Sequence, residues 1–519
     1  NKETRKQGLD QPNFLNSFFY NLFKFSSLLF IKFFLRKIRF KFCVFNLVLL
    51  LFPFFCSALT AVTKNPINGS LPYLTFNDGV TREVTATALG LIRITLPDGT
   101  SLIPTQHDVY PDSIVDTSSA DDPIILKTSD TFDSIKTYVP FPSEGNTNYP
   151  KVDFDQLLVA PYNYWQDDDG DELIPASSPQ AKGSLTVVWK DKYGRDITNR
   201  IKSNPSAKLS SCEAPYSLTV GLNKGEIRTK YGIPSKFTID NNNHTYYIYP
   251  KPTEPIFCYA QPNLTHGDGQ YAGPEDQWDP KNGFKLQDVN TPESNFPTVG
   301  GNNLFFKLIV DGITAEKIIN TNGAIVQPEV GEGVSLELTA ENNEPQGKVV
   351  RVTLKGPNKA AGGGIFKAST FKIYADKNTN NLLYSFKINR WFIGNITTAS
   401  WSGANNWCVN SLAPRSSYRL PKTTEYTNGR SFATRKISWD NANHTSTNMG
   451  GLVNEWGNLN IGYYPDSDFP RGNYAIWAEE YQGSTVGGST HLGVNQGNGN
   501  VDWHLDWSAS QIGVGCVTP

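Results

Sequence analysis

The chain has 519 residues, of which 18% are charged, 38% hydrophobic and 12% aromatic, with 43 Gly, 33 Pro and a formal net charge of -2. That length fits roughly three domains at about 150 residues each. So many aromatics against so little charge exclude a largely disordered chain, and the near-neutral balance excludes whole-protein attraction to nucleic acid, which depends on Lys and Arg neutralising phosphates.

Residues 1–58 differ from the rest. They hold nine Lys or Arg against two acids, a net of +7, leaving 38 basic and 47 acidic residues elsewhere, a net of -9. Lys32, Arg36, Lys37, Arg39 and Lys41 precede the apolar run from Phe42 to Cys56, and Ser57-Ala58 follow. This is the basic region, apolar region and small-residue cleavage site of a secretory signal, with cleavage expected near Ala58. The run is interrupted by Asn46 and Pro53 and falls short of the roughly 20 residues a spanning helix needs, so no membrane span is expected in the mature chain. Cys56 follows Pro53-Phe54-Phe55 rather than the Leu and small residues of a lipobox. With Asn1 first and Met449 the one Met, residues 1 to about 34 read as upstream sequence.

Residues 59–139 form an N-terminal β region, strand-like at Leu91 to Leu96 and Ile124 to Lys127. Residues 140–259 read as an Ig-like β module. Leu185, Val187 and Trp189 alternate on one face, Asp191-Lys192-Tyr193-Gly194 turns the chain, and Tyr246 to Tyr249 makes a late aromatic strand. Asp167-Asp168-Asp169-Gly170-Asp171-Glu172 is acidic enough for calcium, but its Gly stands fourth where an EF-hand loop needs it sixth, so a solvated turn is expected. Residues 260–300, rich in Gly and Pro and poor in apolar runs, read as a linker.

Residues 301–390 read as a β-sandwich module. Val334, Leu336 and Leu338 alternate with polar residues, as do Val350, Val352 and Leu354, and Tyr384, Phe386 and Ile388; the intervening turns have the spacing of an antiparallel sandwich. Residues 391–519 hold eight of the eleven Trp: Trp391, Trp401, Trp407, Trp439, Trp456, Trp477, Trp503 and Trp507. Trp401, Ala404 and Cys408 fall on one helical stripe. Pro421, followed by Thr423 and Glu425, has the pattern of a second helix start. Gly- and Asn-rich loops and short aromatic strands are expected thereafter.

Of the six Cys, Cys43 and Cys56 lie in the signal, leaving Cys212, Cys258, Cys408 and Cys516. Four Cys allow three pairings, and the domain division selects Cys212 with Cys258 and Cys408 with Cys516, one bond inside each folded unit. No CxxC or HxxxH spacing supports a metal, so disulfides in an oxidising compartment are expected.

The C-terminal stretch carries a resemblance. Trp407-Cys408, Tyr418-Arg419-Leu420-Pro421 with Glu425, Gly450-Gly451-Leu452-Val453-Asn454-Glu455-Trp456-Gly457-Asn458, Tyr474-Ala475-Ile476-Trp477-Ala478-Glu479-Glu480 and Cys516 together resemble the adhesion domain of enterobacterial invasin- and intimin-type surface adhesins. Tyr384 to Phe392 is similar to the strand that leads into it. The resemblance implies a mainly β fold: Ig-like stalk modules followed by a C-terminal α+β C-type-lectin-like domain. It also implies an exported protein at the cell surface, on the outer membrane, that binds a host or neighbouring-cell receptor. One departure from the family is expected: the chain shows no room for the membrane-anchoring barrel of intimins.

Trp rings stack on sugar faces and anchor protein interfaces alike. Trp456, Asn458, Asp466, Asp468, Trp477 and Glu480 are therefore the candidate ligand-binding residues, for a surface glycan or a protein receptor. The calcium motifs of C-type lectins are absent, Trp439-Asp440-Asn441 only permuting one of them, and no cofactor is expected. Asp466, Asp468 and Glu479 offer oxygen ligands for a hard cation. No GxSxG, HExxH, phosphate loop or helix-opening GxGxxG occurs, so no enzyme is expected. Neighbouring Glu479 and Glu480 would point to opposite strand faces and could not flank one bond. Two alternatives are a secreted carbohydrate-binding protein and, from the Arg419-Leu420-Pro421 to Glu425 stretch, an enzyme of the sulfatase-modifying type. The sequons at Asn68, Asn243, Asn263, Asn395 and Asn443 arise by chance in so Asn-rich a chain and are assigned no role.

Overall fold

The computed structural model describes residues 69–174, 183–263, 267–341, 347–429, 450–469, 475–507 and 512–519. All of them belong to the compact unit Gly69–Pro519; the other unit, Asn1–Asn68, lies outside the described residues, and with it the secretory signal. Trp439-Asp440-Asn441 is also outside them.

Strands dominate, and most follow the alternation of the sequence. The first sheet has the spatial order Ile124–Lys127, Asn242–Lys251, Tyr216–Asn223, Ser184–Lys190, Lys151–Asp153. Leu185, Val187 and Trp189 are buried opposite Leu222, Val220 and Leu218, as a strand with one buried face requires. The short Ile124–Lys127 strand completes the sheet by running parallel to Ile248–Lys251. Phe132 packs edge-on against Trp189 and Tyr216, at 5.3 and 5.2 Å, and the Tyr246 hydroxyl donates to Ile92 O at 2.9 Å. One hydrophobic core thus runs from Leu74 to Ile248. The N-terminal β region shares the core of the following module instead of forming its own, because its few short strands cannot bury a face alone.

A second core contains a seven-stranded sheet, ordered Trp278–Asp279, Gly283–Phe284, Ile256–Pro262, Phe305–Asp311, Val349–Lys355, Ser335–Ala340, Ile325–Val326, and a three-stranded sheet of Val330–Glu332, Lys367–Asp376 and Asn381–Ile388. The alternating residues of the expected sandwich, from Val334 to Ile388, are buried. Residues 260–300 correct the linker expectation. Trp278, Phe284 and Phe296 are core residues; Phe284 stacks on Phe296 at 4.3 Å, and the Trp278 indole N–H donates to Gly267 O at 2.6 Å. Single aromatics spaced between Gly and Pro give no period, yet each fills a hole in the sheet face.

The C-terminal sheet is ordered Val299–Gly301, Arg390–Thr398, Ile512–Val517, Ala475–Thr485, Gly488–Asn495, Val501–Leu505. The last strand lies antiparallel to Arg390–Thr398, with Cys516 opposite Ile393. Before the hairpins come the expected helix at Trp401–Asn406, continued to Ser411 as a π-helical turn that buries Cys408, and the expected helix at Thr423–Tyr426. A helix at Leu452–Trp456 and the long hairpin Ala475–Asn495 replace the loops and short strands expected there. Gly457, at φ 73°, ends that helix in the left-handed region that favours glycine. This domain and the sandwich share one core.

Both disulfides pair as expected, with Cα–Cα distances of 5.4 and 5.5 Å. Cys212–Cys258 is not internal to one module, however. Cys212 follows the last helix of the first core, whereas Cys258 lies on a strand of the second core's sheet. The same junction carries the Arg195–Asp279 ion pair at 3.1 Å, and Asp311 bound by both Lys348 and the Tyr249 hydroxyl.

Candidate functional site

The six residues proposed for ligand binding do not converge on one surface. Trp456 and Trp477 are fully buried and are corrected to core residues. The Trp456 indole N–H donates to Val299 O at 2.9 Å, and its ring packs 5.1 Å from Phe296. Trp477 donates to Ala399 O at 2.8 Å. A ring enclosed on both faces leaves none for a sugar. Asn458 is buried and accepts from Asn460 N at 3.0 Å. Asp466 is exposed, but its carbonyl accepts from the Asn303 amide at 2.7 Å. Burial pushes the Asp468 carboxyl above its usual range, against the pull of the Lys359 N–H it accepts at 2.9 Å. These loop residues therefore join the C-terminal domain to the preceding sandwich.

Glu480 has a structural partner as well: its carboxylate accepts the Thr423 N–H at 2.9 Å and the Thr423 hydroxyl at 2.9 Å, at the start of the Thr423–Tyr426 helix. Glu479 is exposed and lies 3.9 Å from Arg419. Among the described residues, no group of three or more His, Cys, Asp or Glu could hold a metal ion, so Asp466, Asp468 and Glu479 are not gathered for one.

The Arg419 and Glu425 stretch resolves into a partly buried charge cluster. Arg419 grips Glu425 in two bonds of 2.8 and 2.7 Å, and Arg390 adds a third contact at 2.7 Å. Burial alone would raise the Glu425 carboxyl, but hydrogen bonds from Arg419 and Lys422 N and the charges of Arg390 and Arg419 outweigh it and hold the group below the usual carboxylate range. Both carboxylate oxygens are occupied, which is the arrangement of a structural anion.

The exposed aromatics lie elsewhere. Trp503, Leu505 and Trp507 alternate along and just beyond Val501–Leu505, the last strand of the C-terminal sheet among the described residues. That spacing places them on one face, where Leu492 sits opposite Trp503. Trp503 is 52% and Trp507 66% exposed, and the Trp507 ring is fixed by its N–H bond to Gly487 O at 3.0 Å. Across the same strands, register puts Tyr481, His491 and His504 in one row; His491 stacks on Trp401 at 3.8 Å and is clasped by Asp506 at 2.7 Å. Both sides of this hairpin are thus stiffened while two indoles stand in solvent. The signal was present in the sequence as Trp503-x-Leu505-x-Trp507, a pattern that also describes a buried strand.

Two solved structures are similar to parts of the chain. One is an intimin mutant of EHEC O157:H7, 13% identical, matched over 43% of this chain and 88% of its own, with a TM-score of 0.22. The other is the C-terminal 282-residue fragment of intimin in complex with the intimin-binding domain of the translocated intimin receptor, 13% identical over 65% of this chain and 93% of its own, with a TM-score of 0.25. No protein-family model and no curated protein matches. At such scores the description of the fold rests on the strands and cores of this chain.

Proposed function

We propose that the chain is an exported bacterial surface adhesin whose C-terminal domain binds a protein receptor on a host or neighbouring cell. The observation that supports this reading is the exposed pair Trp503 and Trp507, the latter's ring held by its N–H bond to Gly487 O, along and just beyond the outermost strand of the C-terminal sheet among the described residues. Large indoles carry little conformational-entropy cost on association and are among the residue types that dominate interface energetics. Among the described residues no strand pairs beyond Val501–Leu505, and a strand in that position can be extended by a partner's strand. The disulfide and ion pairs between the first and second cores, and the core shared by sandwich and terminal domain, supply a stiff support behind that face. Among the described residues no helix is long and apolar enough to cross a membrane. The secretory signal, outer-membrane location and role in virulence belong to this proposal.

Cell fractionation and binding of the purified full chain to host cells and glycan arrays test it. Retention on the outer surface, with cell binding that is abolished by protease treatment of the host cells, is expected. Recovery from the medium with glycan binding alone would favour the secreted carbohydrate-binding reading.

A further inference from the structure

The first core carries a cleft of about 430 Å3, within the size range of small-molecule sites. Three half-buried tyrosines, Tyr138, Tyr162 and Tyr164, form its aromatic wall; Tyr138 meets Tyr164 edge to face at 5.3 Å, and Tyr162 lies 5.5 Å from Tyr164. Arg93 lines the same cleft. Its guanidinium sits 4.8 Å from the Tyr110 ring centroid and 5.8 Å from that of Tyr138, and it donates to the Tyr138 hydroxyl. Among the described residues no carboxylate pairs with it, and its buried Nε–H has no acceptor. Lys136 supplies a second cation. Glu144 is the one carboxylate lining the cleft, and it is engaged by Lys136 at 3.0 Å and by the Phe141 N–H at 2.9 Å.

Arg93 lines the cleft with a charge that no carboxylate among the described residues balances, and a guanidinium so placed points to an anion that arrives with a ligand. Guanidinium recognises carboxylates with charge-assisted bonds, and the tyrosine wall offers rings for an apolar face to stack on. We propose that this cleft binds a carboxylate-bearing pyranose of the hexuronic or sialic acid class. The ring lies on the tyrosines, the carboxylate on Arg93 and Lys136, and ring hydroxyls reach Thr95 and Thr137, which also line the cleft. The site is built from the first core alone and is independent of Trp503 and Trp507. It would add a second, low-affinity contact with a glycan-coated surface, and linked contacts strengthen overall attachment.

The test uses the purified full chain and ligand-observed NMR with D-glucuronate and N-acetylneuraminate against neutral D-glucose. At least one acid sugar is expected to bind, and D-glucose to bind at least about tenfold more weakly, the effect of losing a charge-assisted bond. Arg93→Gln and the exposed Lys136→Gln should each weaken binding severalfold, while Trp503→Ala leaves it unchanged. Lys136→Gln keeps the test decisive if Arg93→Gln does not fold. Equal binding of acid and neutral sugars, binding of none, or indifference to both substitutions would overturn the proposal.

Discussion

The Glu455 carboxylate accepts the backbone N–H of Thr298 at 2.9 Å, across 157 positions of sequence. It also accepts the Thr298 hydroxyl and the Val299 N–H, so a fully buried acid on the helix of the C-terminal domain holds the segment that leads into the sandwich. Burial pushes this carboxyl up to about 8, against the pull of its hydrogen bonds from Thr298, Val299 and Gly450.

The sign of the pH dependence follows. Folding raises the pKa of Glu455, so the folded state binds its proton more tightly, and this group favours folding more as pH falls from about 8 towards its unfolded value near 4.5. Wild type should lose unfolding free energy between about pH 5 and about pH 8 relative to Glu455→Gln, whose amide cannot titrate. Paired denaturant titrations across that range measure it; parallel pH profiles would refute the linkage.

Glu425 has the opposite role. Its folded-state pKa is lowered by Arg419 and Arg390, so it stabilises the chain above the unfolded carboxylate range and ceases to do so as pH falls. Glu425→Gln strands two half-buried guanidinium groups and should cost about 3 kcal/mol, read by chemical denaturation. A cost below about 0.5 kcal/mol, typical of exposed positions, would show the cluster to be solvated.

Replacing Cys212 and Cys258 together by Ser should destabilise by about 4 kcal/mol in the chain-entropy account of a loop closing 46 residues. Because this bond ties the first core to the second, amide exchange should rise at the junction around Ile256 and Ile309 before it rises at Trp189. Uniform exchange would place the bond's effect elsewhere.

The two kinds of tryptophan separate cleanly. Trp456→Ala removes a fully buried ring and should cost about 4 kcal/mol. Trp507→Ala, at 66% exposure, should change stability by under about 0.5 kcal/mol. Thermal melts of both variants decide it.

Strands such as Val334 to Leu338 and Leu185 to Trp189 were legible because alternation and one-sided burial are the same fact stated in sequence and in space. The cysteine pairs were legible too, although the division that selected them placed Cys258 in the wrong core. Residues 260–300 were not, since Trp278, Phe284 and Phe296 plug the core one at a time without a period. Nor could residue identity separate Trp456 from Trp507. Whether an indole meets a second layer or water depends on sheet order, and among the described residues Val501–Leu505 stands at one end of a six-stranded sheet, paired only with Gly488–Asn495.

The central claim is that Trp503 and Trp507 form the receptor-binding face. Full-length chain carrying Trp503→Ala and Trp507→Ala, shown by its melting curve to be as stable as wild type, should be applied to host cells beside the unaltered protein. At least about a tenfold loss of cell binding is predicted, the effect expected when two interface anchors are removed. Undiminished binding by the stable double variant would contradict the account.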